Sequence, residues 1–359
     1  MVYLKQTPNG FPGRFISIYF TPMGICCNLG YAPGKTCKDF SVGLSIGQPA
    51  PSKALYLCHK TRYAKAMSQY APHETLIQAA RASSSLPRLL AGVVMLFLSI
   101  GAFNLGLGQI ILGTQHGEVL ISEMGQGSTP RGVLIVLFSF LTSVAALWVV
   151  LRVMHQRGLR SLLGPLPLVY KDFFRVLRFG LVMVAVILIL PLPEAMRPHF
   201  NLSFAQWLPW LMFGLAAVLV QVSTEELIFR GYLQSQLAAR SSHPFVWMVL
   251  PSLLFGFLHY SPDTYGENAL LIVIWSMAFG CAAADLTART GSLGPAIALH
   301  FVNNVSAILI VSMHSHWDGL ALLSVPYAPQ NTEILRAALW TEALALLCLW
   351  LVARIAIRR

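Results

Sequence analysis

Long runs of apolar residues alternate with short polar connections along most of the chain. From Leu89 to Val352 these runs come close to the length of about 20 residues that a helix needs to cross the apolar core of a bilayer. The pattern predicts an all-α, polytopic integral membrane protein with about eight transmembrane helices. The predicted spans are residues 89–113, 132–154, 176–193, 207–234, 245–261, 268–288, 292–313 and 333–353.

Composition also favours a membrane environment. The chain of 359 residues is 56% hydrophobic and only 11% charged, whereas soluble domains carry about 25% charged residues. The formal net charge of +11 is a property of many nucleic-acid-binding proteins, but here the Lys and Arg residues lie in connections and tails rather than along one face. We therefore expect membrane lipid as a partner and no nucleic acid.

The distribution of basic residues predicts the orientation of the chain. Lys and Arg accumulate in cytoplasmic connections of membrane proteins, and they are frequent in the connection after the second predicted span. Acidic residues dominate the connections after the first, third, fifth and seventh spans. We predict that both termini are cytoplasmic, in a multi-pass protein of a bacterial inner membrane.

The first 80 residues differ from the remainder of the chain. They are rich in Gly, Pro, Lys and Tyr and show no sustained helical or strand periodicity. We predict a poorly structured segment over residues 1–80, followed by one helical membrane domain over residues 81–359. Met67 opens a stretch that would serve as a polar leader to the first span, so an over-extended gene model is a second interpretation of residues 1–66.

Ionisable residues inside predicted spans are the first candidates for function, because each costs on the order of 2.5 to 3.5 kcal/mol at the centre of a bilayer. The fourth span ends with QVSTEELIFRGYLQ. Glu226 and Arg230 are four residues apart and can neutralise each other, whereas Glu225 points about 100° away. A free acid beside a neutralised one suits a general base. A salt-bridged helix end without chemistry is the alternative.

Two further spans place histidines in apolar surroundings. The fifth contains LLFGFLHY, with Phe255 and His259 one turn apart, and the seventh contains GPAIALHFVNN, with His300 and Asn304 one turn apart. A lone His in an apolar helix is more often a satisfied core residue, and a His beside an Asn can simply join two helices by hydrogen bonds. However, an antiparallel hairpin of the fourth and fifth spans brings Glu225 and His259 to the same level.

The seventh span reaches that level only under one condition. His300 lies roughly 13 Å from the start of its helix, at 1.5 Å per residue, whereas the hairpin residues lie over about 20 Å from their turn. The turn between the fourth and fifth spans must therefore project into the cytoplasm or tilt strongly. This predicts a site in the cytoplasmic half of the bilayer.

The motifs EELIFR, FGFLH and HFVNN, in this order and on separate helices, resemble the CPBP family. This family comprises CAAX prenyl endopeptidases and bacteriocin-processing membrane proteins, and the resemblance covers about residues 207–310. It implies an intramembrane endopeptidase that cleaves a peptide bond in a membrane-associated or prenylated-type peptide or protein. The expected partners are therefore membrane lipid and a peptide or protein substrate.

The resemblance also implies roles for individual residues. By this analogy, Glu225 activates a water molecule with help from His259, while His300 and Asn304 stabilise the developing oxyanion. The supporting residues would be Glu226, Arg230 and Phe255.

The residue pattern leaves the question of a metal open. Glu225, His259 and His300 form a plausible set of three zinc ligands, and family members are often labelled metalloproteases. The same three residues can also form a metal-free site with a glutamate-activated water. The chain has no HExxH motif, so a zincin site is not indicated.

Two functions of other classes stay open at this point. A transporter or proton relay would also use buried Glu and His residues, although it usually shows internal repeats or broken helices. A catalytically silent scaffold or immunity-type membrane protein could keep the motifs for structure alone. Outside the motifs, Asp285 and Arg289 are four residues apart, and we interpret them as a surface pair.

Overall fold

The computed structural model describes residues 16–21, 24–29 and 69–358, which fall into two units that divide between Gln69 and Tyr70. In the first unit, β1 (Ile16–Thr21) and β2 (Gly24–Leu29) form an antiparallel hairpin. These strands differ from the expected lack of regular structure over residues 1–80. Met67 and the rest of the segment before Gln69 lie outside the described residues.

The second unit is helical, and it begins earlier than the expected boundary at residue 80. Short 3-10 turns connect several of its helices, at Ala71–His73, Leu159–Leu162, Glu194–Met196, Gly266–Asn268 and Asp318–Leu320. A single α-helical turn, Pro262–Tyr265, precedes α8. The helices are α1 (Glu74–Arg81), α2 (Leu86–Leu112), α3 (Gly117–Gln126), α4 (Pro130–His155), α5 (Leu166–Leu188), α6 (Phe204–Ala238), α7 (Phe245–Phe257), α8 (Ala269–Thr290), α9 (Gly294–Ile310) and α10 (Thr332–Ala356).

The predicted membrane architecture is confirmed, but the count of eight spans is not. In the part of the chain that the structure describes, five helices are long and apolar enough to cross a membrane: α2, α4, α6, α10 and the helix at Pro262–Thr290 that contains α8. α7 and α9 are shorter apolar helices. α5 overlaps the predicted span at residues 176–193, but it ends at Leu188 and its first half is charged.

Among the residues that the structure describes, three helices contain a π-helical segment, in which each turn holds more residues than an α-helical turn. The segments are Leu227–Gln234 in α6, Phe245–Val249 in α7 and Ser306–Ile310 in α9. π-Helical turns are rare and occur frequently at functional sites. Here they lie in the same three helices that carry the sequence motifs.

α9 is the central helix of the second unit. It packs against α5, α6, α8 and α10, and every residue from Gly291 to His300 is buried. Gly294 has no room for a side chain, because a Cβ there would overlap the carbonyl oxygen of Val169 in α5. A helix that is apolar on all sides is expected to be surrounded in this way.

The two ends of the helical bundle are covered differently. At one end, β3 (His199–Phe200) pairs antiparallel with β5 (Leu323–Val325), which pairs in parallel with β4 (Val311–Met313). At the other end lies a segment that we call the strap, residues 70–85. The strap carbonyl oxygen of Ser84 accepts a hydrogen bond from Arg240 Nη1, just beyond α6.

Candidate active site

Glu226 lies at the centre of a buried ion cluster. Its Oε1 accepts a hydrogen bond from Arg230 Nη1 at 2.9 Å, and the same oxygen lies 2.8 Å from His300 Nδ1. The exposed fractions of Glu226 and Arg230 are 0% and 1%. The predicted pair of Glu226 and Arg230 is therefore present, and His300 is its third member. Since an ionised carboxylate only accepts, Nδ1 of His300 is the donor.

Glu225 faces away from this pair, as its position one residue earlier on the helix predicts. Its Oε2 lies 3.5 Å from His300 Nε2 and accepts no hydrogen bond from the residues that the structure describes. The side chain of Glu225 is 16% exposed, compared with 0% for Glu226. His300 thus has one carboxylate near each of its two ring nitrogens.

The packing of α6 against α9 explains why these side chains meet. Gly231 of α6 lies against Leu293 at the start of α9, and this contact comes six residues after Glu225 and seven before His300. α6 continues past the start of α9 to Ala238, and the strap covers its last turns. This is the projection that the sequence required, and the site lies toward the strap end of the bundle.

His259 lies beyond the end of α7, which stops at Phe257. Its Nδ1 is 2.9 Å from the carbonyl oxygen of Phe255, so Nδ1 is the donor of this hydrogen bond. The rings of Phe255 and Phe229 lie 5.1 Å apart. Phe229 follows Glu225 by four residues, and His259 follows Phe255 by four residues in the antiparallel direction, so His259 comes to the level of Glu225. Within residues 69–358, no hydrogen bond or ion pair joins His259 to Glu225. His259 is exposed, and its ring lies 4.8 Å from that of Phe255.

Phenylalanines surround the ion cluster. The Phe255 ring centroid lies 4.8 Å from the Arg230 guanidinium carbon and 6.0 Å from the His300 ring. Phe279 of α8 lies 4.8 Å from the His300 ring. Sequence reasoning selected Phe255 but missed Phe279, which belongs to no motif and is brought here by tertiary packing alone. The rings keep the charges in apolar surroundings, where electrostatic interactions are stronger than in water.

Asn304 lies one turn beyond His300 and faces α6. Its Nδ2 donates to Gln221 Oε1 at 2.8 Å, and its Oδ1 accepts from Asn303 Nδ2 at 3.0 Å. Gln221 is buried and lies one turn before Glu225. Sequence reasoning did not select Gln221, although an amide four residues before a candidate base in an apolar span was the available signal.

The described residues contain no group of three His, Cys, Asp or Glu side chains that could hold a metal ion. Glu225 approaches His300, but no hydrogen bond or ion pair joins His259 to either of them in the same region. As placed, these three residues do not fit the zinc set considered from the sequence.

Comparison with known proteins identifies the region that contains this site. Residues 206–306 match the family model of type II CAAX prenyl endopeptidase Rce1-like proteins. An uncharacterized protein, YyaK of Bacillus subtilis (strain 168), is 29% identical over 194 residues, which are 51% of this chain and 63% of that protein. The match thus spans less than two thirds of the relative's length. No solved structure matches the chain.

The matched region contains Glu225, Glu226, Arg230, His259 and His300, together with Asn304 and Gln221. The resemblance drawn from the three short motifs is therefore confirmed. The chain is an integral membrane protein in which residues 206–306 match the family model of type II CAAX prenyl endopeptidase Rce1-like proteins.

Proposed function

We propose that the chain is an intramembrane endopeptidase that hydrolyses a peptide bond of a membrane-associated or prenylated-type protein, with Glu225 as the general base. The observation that carries this proposal is the difference between two adjacent acids. Glu226 is neutralised by Arg230, whereas Glu225, beside His300, has a carboxylate oxygen with no hydrogen-bond donor among the residues that the structure describes. A general base needs such an oxygen within reach of the proton that it removes.

In the first step, a water oxygen attacks the carbonyl carbon of the substrate while Glu225 Oε2 accepts a proton from that water. The carbonyl double bond becomes a single bond to an oxyanion, and a tetrahedral carbon forms. His259 assists by accepting a hydrogen bond from the same water at Nε2, because its Nδ1 is engaged with the carbonyl oxygen of Phe255. Both side chains then act on one water from neighbouring helices.

In the second step, two groups of α9 stabilise the oxyanion by donating hydrogen bonds to it. Glu226 holds the Nδ1 hydrogen of His300, and the doubly protonated ring donates from Nε2. One Nδ2 hydrogen of Asn304 is donated to Gln221, and Asn304 donates its second Nδ2 hydrogen to the oxyanion. The carbon–nitrogen bond then breaks, and the proton on Glu225 passes to the leaving amine, so that the carboxylate is regenerated.

The charges of the cluster balance in this scheme. The carboxylates of Glu225 and Glu226 carry two negative charges, and Arg230 and protonated His300 carry two positive charges. Buried charges are tolerated when they are paired and hydrogen-bonded, and an isolated charge inside a bilayer is expensive. The balanced cluster therefore accounts for how four ionisable groups lie together in apolar surroundings.

The proposal is tested with purified protein in lipid nanodiscs and a library of membrane-anchored peptides, with products identified by mass spectrometry. We expect defined cleavage products with wild type and with Glu267→Gln, an exposed glutamate outside the site that serves as the matched control. We expect none with Glu225→Gln. Equal product patterns for wild type and Glu225→Gln would show that Glu225 is not the base.

Metal removal gives a separate test of the same scheme. We expect the cleavage rate to be unchanged after prolonged treatment with a zinc chelator, because the proposed water is activated by Glu225 and His259. Cleavage that is lost on chelation and restored by added zinc would contradict this scheme and favour a metallopeptidase.

A further inference from the structure

Gln221 is a buried amide in the membrane-spanning part of α6, with an exposed fraction of 7%. Its contact with Asn304 links it to the proposed oxyanion donor. We propose that Gln221 is a positioning residue that fixes the amide of Asn304 for hydrogen bonding to the oxyanion. This inference rests on the proposed function and adds to it a residue outside the three sequence motifs.

The amide of Asn304 is held at both ends. Gln221 Oε1 accepts one hydrogen from Asn304 Nδ2 at 2.8 Å, and Asn304 Oδ1 accepts from Asn303 Nδ2 at 3.0 Å. These two contacts agree on a single orientation of the amide plane. They leave the second Nδ2 hydrogen of Asn304 as the group that can donate to a substrate oxygen.

The contact is also in register with the proposed base. Gln221 and Glu225 are four residues apart on α6, and His300 and Asn304 are four residues apart on α9, so each pair shares a helix face. Glu225 faces His300 at 3.5 Å, and Gln221 faces Asn304 at 2.8 Å. Gln221 therefore sets the position of Asn304 relative to the base on the same helix.

A hydrogen bond that merely joins α6 to α9 is the competing explanation, since amides serve this purpose in membrane proteins. The two explanations differ in what the bond does for catalysis. A joining bond stabilises the fold whether or not Asn304 takes part in the reaction. A positioning bond matters for turnover only while Asn304 is present to be positioned.

The experiment uses the full chain and compares single and double variants on the best peptide substrate. Gln221→Met keeps the length of the side chain and removes the acceptor. We expect kcat to fall about 10- to 100-fold, with KM within about twofold of wild type, because a misplaced donor weakens stabilisation of the transition state. Gln109→Met, on the exposed side of α2, is the matched control.

The decisive comparison is the effect of Gln221→Met in an Asn304→Ala background. We expect less than about a twofold further change in kcat there, because residues that act as a unit are not additive. A wild-type kcat for Gln221→Met would overturn the inference, and so would the same fold-loss in both backgrounds. Either result, with Glu225→Gln inactive, leaves the proposed function standing. Full activity of Glu225→Gln would instead overturn the proposed function.

Discussion

Glu225 and Glu226 are the same residue type at adjacent positions, and a helical rotation of about 100° gives them different surroundings. Glu226 is enclosed by Arg230 and His300, while Glu225 has an oxygen that no described protein group contacts by a hydrogen bond. One glutamate therefore stabilises the cluster, and the other is available for proton transfer. The two residues should respond differently to the same substitution.

Replacing Glu226 should affect stability far more than replacing Glu225. Glu226→Gln leaves the buried guanidinium of Arg230 without a counter-charge, and breaking a buried pair in this way costs about 3 to 5 kcal/mol. Glu225→Gln keeps the pair of Glu226 with Arg230 and removes only the 3.5 Å approach of Glu225 to His300, so it should lower the free energy of unfolding by less than Glu226→Gln does. Unfolding in mixed micelles measures both values. Equal destabilisation by the two variants would contradict the separate roles.

A double variant of Glu226 and Arg230 separates the effect of an unpaired buried charge on stability from the effect of Glu226 on activity. Replacing both partners, as Glu226→Met with Arg230→Met, removes the uncompensated charge and should recover much of the stability lost in Glu226→Gln. Activity should stay low, because His300 loses the carboxylate that holds its Nδ1. Recovery of activity together with stability would show that Glu226 has no role in orienting His300.

Residues whose partners are local in sequence were the ones that could be predicted. Glu226 and Arg230 are one turn apart, so their pairing follows from helix geometry. Asp285 forms the predicted pair with Arg289 at 2.8 Å, but its placement at the surface was wrong, because its other partners are distant in sequence. Asp285 is buried and also accepts hydrogen bonds from Tyr70 and Trp350. No periodic pattern connects residues so far apart in the chain.

At the scale of elements, α7 and α8 approach so closely that Gly256 and Gly280, at their crossing, have no space for a side chain. A Cβ at Gly280 would lie 2.8 Å from Ser252 Cβ, and one at Gly256 would lie 2.6 Å from the carbonyl oxygen of Val273. Small residues commonly allow such approaches between membrane helices. The crossing holds Phe279 in position against His300.

Adding a methyl group at this crossing should therefore destabilise the protein. We expect Gly280→Ala to lower the free energy of unfolding by about 1 to 3 kcal/mol, as overpacking does. Gly106→Ala in α2 is the matched control, because nothing lies within 4 Å of a Cβ there. Its stability should equal or exceed that of wild type. Unfolding curves for the two variants give both free energies of unfolding. A Gly280→Ala variant as stable as wild type would contradict a tight crossing of α7 and α8.

The strap should make stability depend on pH. His73 is buried against Trp247, and burial lowers the pKa of its imidazole from 6.5 to about 4. Between these pH values the unfolded chain binds more protons than the folded one, so stability is complete above about pH 6.5 and falls as the pH decreases toward 4. The loss should be on the order of 3 kcal/mol.

Substitution of His73 tests this contribution. His73→Phe keeps a ring against Trp247 and cannot titrate, so the variant should lose less stability than wild type between pH 6.5 and pH 4. Melting temperatures across this range provide the measurement. Identical pH profiles for the two proteins would show that His73 is not buried in its neutral form.

Element boundaries were predicted less well than element types, because apolar runs do not reveal where a helix turns. The fifth span was expected to continue to residue 261, but α7 ends at Phe257 and leaves His259 beyond the helix. The π-helical segments were also missed, because their sequences resemble those of ordinary α-helices and only tertiary packing distinguishes them. The long apolar spans were predicted correctly, because a run of about 20 apolar residues rarely forms anything other than a membrane-spanning helix.

At the scale of the whole molecule, the site lies toward the strap end, and basic residues also collect at that end. Following the tendency of Lys and Arg to face the cytoplasm, we propose that the strap end is cytoplasmic and the sheet of β3, β4 and β5 faces outward. Acidic residues lie in the connections of the sheet end, as Glu194 does just before β3. The basic residues of the strap end include Arg160, Arg240 and Arg289.

Thiol labelling of intact bacterial cells tests this orientation. On a cysteine-free background, Glu194→Cys at the sheet end should react with a membrane-impermeant reagent added outside. Ser241→Cys, in the turn between α6 and α7, should react only after the membrane is made permeable. The reverse labelling pattern would invert the orientation and put the site near the outer surface.

The most direct measurement for the account as a whole is the rate of peptide cleavage by Glu225→Gln, with folding of the variant verified by its melting temperature. Loss of a general base reduces rates about 10²- to 10⁴-fold, and no ion pair with Arg230 is broken. We therefore predict a decrease of at least about 100-fold in kcat for a variant that remains folded. A folded Glu225→Gln variant that cleaves within about twofold of the wild-type rate would contradict the account.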